Sequence, residues 1–345
     1  MSKSDKGTVT VNSTIGFGNN IFQYVFGRLL AEYHGLNFNH PALSPFGIKA
    51  QYTPVNKRLR TIQIGVAHKT GAYDKYFREK TPDVNYNVKG YFEDYTIYQS
   101  HLDYIRSWFP TLPRKNKTDL IVHIRLQNRL VQLNHYMSFI SGEAYAKAIG
   151  SFDFRRLHIV TDAERWAYYT EDDVKKIQKD ILEGPNPGAA WVPIQDSLDY
   201  MKELVDAFKP YDPIIHCTNS PTIKGSGGLR DNFMDAFNLI RSFSQVMIYN
   251  STFSWWAAVL GNASKVGVFS LWKPGKEDGN PNLGQTKYPG WFSWGDEKDL
   301  IRYRKGAFPY YNRSWRLRSF EARWKNRYFF LRRKIYSTMS SILEK

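Results

Sequence analysis

Residues 245–261 read Q-V-M-I-Y-N-S-T-F-S-W-W-A-A-V-L-G. The first five, Gln245 to Tyr249, form a short apolar run of the kind that makes a buried strand. From Asn250 the pattern changes. Trp255, Trp256, Val259 and Leu260 fall at i, i+1, i+4 and i+5, which puts them on one side of a helix. The chain therefore turns from strand to helix between them, and the turn carries three hydroxyls, Ser251, Thr252 and Ser254. A helix start has free backbone N–H groups and a partial positive charge. Small hydroxyl residues there can cap the helix or help it hold an anion such as a phosphate. Taken alone, the stretch fits equally well a capped helix anchored by two core tryptophans.

Outward from this turn, strand and helix patterns alternate. Thr8 to Ser13 alternates as a strand. Gly16 and Gly18 make a turn, and from about Asn19 the residues Ile21, Phe22, Val25, Leu29 and Leu30 form a helical apolar stripe. Short strands are expected at Arg60–Gly65 and Asn87–Phe92, with a helix from about Thr96 to Phe109 that Pro110 and Pro113 stop. The run from Pro110 to Thr118, bounded by prolines and otherwise polar, reads as a linker. A second unit opens with the strand Asp119–Arg125. It continues with a helix near 142–151, the strand Leu157–Thr161, helices near 171–183 and 197–209, and a strand at Pro213–His216. Then come a Gly-rich loop at 225–228, a helix over 231–243, the opening strand and turn, and a strand at Lys265–Leu271. Alternation of this kind indicates parallel α/β sheets with right-handed crossovers. Ligands in such sheets bind at the C-terminal strand ends. Three polar turns stand at such ends: Gly16 to Asn20, His123 to Arg125, and Asn250 to Ser254.

The chain has 345 residues, enough for about two domains of ~150 residues each. Its single cysteine, Cys217, excludes an internal disulfide and leads us to expect a reducing compartment. No stretch approaches ~20 consecutive apolar residues, and the N-terminus lacks an apolar signal core, so a cytoplasmic protein is expected, peripheral on a membrane at most. The formal net charge of +16 is concentrated in the tail, where residues 302–334 hold twelve Lys/Arg against one acid, Glu321. From Ser314 onward Leu317, Phe320, Trp324, Tyr328, Leu331, Ile335, Met339 and Ile342 trace one apolar face. A basic amphipathic helix over 314–344 fits docking on the N-terminal half or lying on anionic lipid. Nucleic acid, the third partner that positive charge can serve, is not expected.

Four stretches, in order, resemble the α-1,2-fucosyltransferase family. G-F-G-N-N-I-F-Q-Y-V-F-G-R from Gly16 is similar to that family's opening motif, and Gly90 to Tyr95 resembles its G-Y-W/F-Q element. V-H-I-R, from Val122, resembles its V-H-x-R-R-x-D strand, and N-S-T-F-S-W-W-A-A is close to its N-S-[ST]-F-S-W-W. Together they span residues 8 to about 272. The chain carries Leu126 and Asn128 where the family has a second arginine and an aspartate, and Asn20 and Glu93 where glutamines are expected.

The resemblance implies a GT-B fold: two Rossmann-like domains facing a cleft, 8–113 on the acceptor side and 118–300 on the GDP-sugar side, with the basic helix 314–344 appended. It implies transfer of fucose from GDP-fucose to a hydroxyl of a glycan acceptor, O2 of a galactose-like residue. Arg125 would hold the pyrophosphate as a planar fork of donors. His123, Asn128, and Asn250, Ser251, Thr252, Phe253 and Ser254 would line the donor site, with Gly16, Gly18 and Asn19 closing over it. Asp162 is a candidate for ribose or base contact, and Asp231 or Asp235 for guanine. Glu93 and Asp94 are the candidate bases near the acceptor, set against a plain acidic turn. No metal or other cofactor is expected, because the family's fold type uses such donors in its place and no D-x-D pair is present. The alternatives are a transferase with another nucleotide-sugar donor, and a degenerate transferase scaffold that binds membrane or RNA.

Overall fold

The computed structural model describes residues 6–13, 16–65, 71–113, 116–126, 130–133, 140–163, 166–182, 190–192, 194–217, 233–249, 251–269 and 290–295. Asn128, Asp231, Asn250 and the helix expected at 314–344 lie outside the described residues. The chain folds as a mixed α/β protein built on two parallel sheets.

The first sheet holds β1 (Thr8–Val11), β2 (Asn37–Asn39), β3 (Thr61–Ile64) and β4 (Asn85–Val88), in the order β2-β1-β4-β3. All its pairs are parallel. Helix α1 (Phe17–His34) crosses from β1 to β2. It begins two residues before the expected Asn19. Gly16, at φ +105°, turns the chain out of the strand, and the first helical bond runs from Asn20 N–H to the Gly16 carbonyl. It ends at Gly35, whose left-handed backbone (φ +70°) returns its N–H to the carbonyls of Ala31 and Glu32.

The expected strand over Asn87–Phe92 stops at Val88, and the expected helix from Thr96 reduces to short 3-10 turns and α2 (Leu102–Ser107). Between them stands Phe92, a non-glycine residue at φ +54° that prevents the extended run from continuing to the expected end. Its ring stacks on Phe26 at 4.0 Å between centroids, and its carbonyl accepts a buried hydrogen bond of 2.6 Å from the Tyr98 hydroxyl. Core packing of this one aromatic overrides the local strand pattern.

The second sheet holds β5 (Asn116–Ile124), β7 (Leu157–Thr161), β9 (Ile214–Cys217), β10 (Phe243–Ile248), β11 (Lys265–Phe269) and β12 (Phe292–Trp294). Its order is β9-β7-β5-β10-β11-β12, again all parallel. This is the doubly wound arrangement of dinucleotide-binding folds, in which the strand order reverses between the first strand and the fourth. Here the reversal lies between β5 and β10. Two short strands, β6 (Gln132–Leu133) and β8 (Ala190–Trp191), pair antiparallel outside both sheets.

The sheet is buried on both faces, as parallel sheets are. Leu120, Val122 and Ile124 of β5 share one core with α3 (Gly142–Ile149), α4 (Glu171–Leu182) and α5 (Ile194–Phe208). Ile121 belongs to another, with α6 (Phe233–Arg241) and α7 (Thr252–Leu260). That second core also contains Val9, Phe17, Phe22, Val25 and Phe26 from the first sheet's side. Helices α1 and α7 thus pack directly on each other and join the two sheets. Phe22 sits 4.9 Å from Trp255 and 4.8 Å from Trp256, centroid to centroid, and both tryptophans are fully buried. Two arginines tie the same seam. Arg106 Nε donates to the carbonyl of Val259 near the end of α7 (2.9 Å), and Arg241 Nη2 donates to that of Pro110 (2.6 Å). Burial pushes the Arg241 pKa down to about 10.

Candidate functional site

The strand ends at the reversal of the second sheet are His123-Ile124-Arg125 after β5 and Tyr249 to Ser254 after β10. His123 and Ile248 are in register. Side chains alternate along a strand, so His123 and Arg125 share the face opposite Val122 and Ile124, the face covered by α6 and α7. The His123 ring lies 5.8 Å from that of Phe253. Arg125 is half-buried, and among the described residues its guanidinium has no hydrogen-bond or ion-pair partner.

Helix α7 starts here with Ser251 as its N-cap, and no side chain caps it. Ser251 is 4% exposed, and its Oγ makes no hydrogen bond among the described residues. The first turn of α7 contains no acidic residue, and neither does that of α1, which likewise has no side-chain cap. These two helix starts meet. A Cβ on Gly18 would lie 2.4 Å from the Thr252 carbonyl carbon and 2.5 Å from the Phe253 nitrogen. Only glycine allows the backbones this approach. Two partial positive charges are therefore concentrated around one point, with no carboxylate in either first turn, and the β5 end that carries Arg125 adjoins it through the His123–Phe253 contact. Such an arrangement can hold a multiply charged anion.

The expected donor-site residues separate into two groups. Gly16, Gly18, Asn19, His123, Arg125, Ser251 and Thr252 lie at the meeting of the two helix starts and the β5 end. Phe253 is half-buried between the two, its ring 5.8 Å from that of His123 and 5.2 Å from that of Phe237. Ser254 faces inward instead, fully buried with its hydroxyl donated back to the Ser251 carbonyl (3.3 Å), and helps to seat α7. Asp162 spends one carboxylate oxygen on the Leu126 N–H, which fixes the chain just past Arg125. Asp235 is exposed in the first turn of α6, where an acid is favourable without a ligand. Leu126 is 2% exposed within the core shared with α3 and α5. An arginine at this position would have to be buried there.

In the first sheet the reversal lies between β1 and β4, and the turn after β4 carries Glu93 and Asp94. Asp94 is not available as a base. Its Oδ2 accepts from Gly71 N–H (2.6 Å), and its Oδ1 accepts from Thr96 N–H (3.1 Å) and Thr96 Oγ1 (2.6 Å). It is a buried N-cap that pins two loops. Glu93 is half-buried beside it. Burial, together with the neighbouring Tyr73, Asp94 and Glu93, holds the Tyr98 hydroxyl well above its ordinary pKa, so it remains a neutral donor to Phe92.

Two features of this region were not anticipated from the sequence. The Gln23 side chain, fully buried on α1, donates 2.9 Å to the Gly90 carbonyl and so fastens the β4 turn to the helix that starts the anion site. A glutamine inside an apolar stripe is the signal that could have found it, since buried amides need partners. Asn12 Nδ2 also donates 2.9 Å to Asn87 Oδ1 across the ends of β1 and β4.

Among the described residues there is no group of three or more His, Cys, Asp or Glu that could hold a metal ion, and no helix is long and apolar enough to cross a membrane.

No family model matches the chain, and no curated protein matches it. Among solved structures, it is similar to a point mutant of Arabidopsis thaliana FUT1 in complex with GDP. The two share 11% identity at a TM-score of 0.38, over 79% of this chain and 72% of that one.

Proposed function

We propose that the protein is an inverting glycosyltransferase that moves fucose from GDP-fucose to a glycan hydroxyl, O2 of a galactose-like residue. The observation that carries this reading is the contact of two acid-free, uncapped helix starts at Gly18 and Thr252, next to Arg125 at the strand-order reversal. A nucleoside diphosphate leaving group develops negative charge that must be stabilised where water is excluded. Arg125 and the N–H groups of α1 and α7 supply that stabilisation. The four sequence motifs point to the GDP-fucose donor; three of them converge on this point, and the fourth forms the turn that Gln23 fastens to α1.

In the reaction, the acceptor oxygen attacks the anomeric carbon of fucose. The bond from that carbon to the β-phosphate oxygen breaks, and GDP departs with the electron pair. The hydroxyl proton passes to Glu93, the carboxylate of the β4 turn that Asp94 leaves for the task. The two sheets act as the two halves of a GT-B enzyme, with 8–113 serving the acceptor and 118–300 the donor, and the transfer requires no metal.

Thermal denaturation with a panel of nucleotides tests the donor. GDP is expected to raise the Tm well above the shift given by UDP, CDP or ADP, and EDTA to leave that shift intact. An equal or larger shift with UDP would move the reading to another nucleotide sugar. No shift with any nucleoside diphosphate would end it.

A further inference from the structure

The second reversal, at the C-terminal edge of the first sheet, has a chemistry of its own. Alternation continues past β4: Val88, Gly90 and Phe92 are buried, whereas Lys89 and Tyr91 are exposed and Asn87 is half-buried on their side. The left-handed Phe92, held by its stack on Phe26 and by the Tyr98 hydroxyl, keeps its own ring in the core. Tyr91 is left outside at 42% exposure, between the buried Gly90 and Phe92. Residues held in such rare backbone states persist where the surroundings over-determine them, often at ligand sites.

A second exposed tyrosine stands across the same edge. The loop after β2 is locked by three hydrogen bonds of 2.7–2.8 Å between the Asn39 amide and Thr53, and the neighbouring Tyr52 is 69% exposed. Strands β2 and β4 flank β1, so the two loops are separated by roughly 10 Å of sheet at ~4.8 Å per strand. Between them lies the Asn12–Asn87 amide pair. After its one internal bond it keeps an acceptor, Asn12 Oδ1, and a donor, Asn87 Nδ2, without partners among the described residues. Exposed aromatic rings beside an uncharged donor–acceptor pair match a ligand with apolar ring faces and many hydroxyls.

We propose that this edge is a carbohydrate-binding subsite, with Tyr91 and Tyr52 as stacking platforms for pyranose rings and Asn12–Asn87 as the reader of their hydroxyls. The inference rests on the transferase reading, because it gives the acceptor of that reaction its footing. The buried Gln23–Gly90 bond joins the edge to α1, and Gln23 is five residues, about 7.5 Å of helix, from Gly18.

The test is binding of the full chain to an array of immobilised neutral oligosaccharides without nucleotide, for wild type, Tyr91→Ala, Tyr91→Phe and Tyr52→Ala. Wild type is expected to bind a subset of the array. Tyr91→Ala should weaken that binding at least tenfold, Tyr52→Ala several-fold on longer chains, and Tyr91→Phe less than twofold, because the ring face remains. Wild type that binds no glycan, or Tyr91→Ala that binds as wild type does, overturns the subsite. The GDP-induced Tm shift is measured on the same proteins. If it is present while glycan binding is absent or insensitive to Tyr91, the subsite fails and the donor reading stands. If it is absent while Tyr91-dependent binding persists, the donor reading fails and the carbohydrate site stands.

Discussion

The two strand-order reversals of this protein are alike in topology and opposite in chemistry. At β5/β10 the strand ends bring together an arginine without a described partner and two helix starts with no acid in their first turns. At β1/β4 they bring together amides, an exposed tyrosine and a carboxylate that is tied up as a cap. Repeating a parallel-sheet edge thus gives one chain two edges of different character, one that we propose for a charged ligand and one for a neutral polar ligand. Fold alone would make both edges candidate nucleotide sites; the side chains distinguish them.

Substitutions measure how far this contrast holds. The largest effect is expected at the seam between the sheets. Trp256→Ala removes a fully buried ring packed against Phe22 and Tyr98 and should destabilise the protein by about 3–5 kcal/mol. Chemical denaturation of the variant reads this directly, and a loss under ~1 kcal/mol would mean that the sheets do not depend on each other.

Next is Arg125→Ala, expected to lower kcat/KM by about 10²–10³, roughly 3–4 kcal/mol of transition-state stabilisation, with little change in Tm. The partially buried arginine has no described partner to leave behind, so wild-type turnover in this variant would remove the charged character assigned to the β5/β10 edge.

Asp94→Ala should then destabilise by about 1–3 kcal/mol, since the Gly71 and Thr96 donors lose their acceptor. Glu93→Gln should slow transfer while leaving the Asp94 cap in place. A Tm unaffected by Asp94→Ala would return that residue to the pool of candidate bases.

The smallest expected effect is a pH slope in the first sheet. His34 Nδ1 accepts from Thr81 N–H, so Nε2 carries the proton and donates to the Tyr76 carbonyl; burial lowers the pKa of the ring. In the unfolded chain the imidazole takes up a proton near pH 6.5, whereas the folded one resists it until lower pH. Stability from this site is therefore full above ~6.5 and falls as the pH drops through that value. His34→Gln should flatten the slope between pH 7 and 5. A slope unchanged in the variant would assign it to other groups, such as His40 and His216, whose pKa values are also lowered by burial.

Much of this architecture was legible in the residue order. Period and punctuation located Leu157–Thr161 without error and the strands at β5, β10 and β11 within a few residues, because their apolar runs are bounded by polar turns. Residues 116–118, polar and read as linker, extend β5 because strand pairing with β10 recruits them. Strand β2 went unseen because three residues, Asn37–Asn39, carry no periodic signal of their own. At the site, the sequence brought Arg125, Gly18 and Ser251 into one list but had no means to separate Thr252 from Ser254, or Glu93 from Asp94. Adjacent residues of the same chemistry differ only in which way the local backbone turns them.

By itself, then, the sequence determined that parallel α/β units would present glycines, an arginine and hydroxyls at strand ends, since periodicity and turn chemistry act over a few residues. Only the tertiary structure decided that α1 and α7 would start against each other, that Leu126 would occupy a core, and that Asp94 would be consumed as a cap. Those outcomes depend on contacts between residues up to hundreds of positions apart, such as Gly18 with Thr252, and no local pattern encodes them.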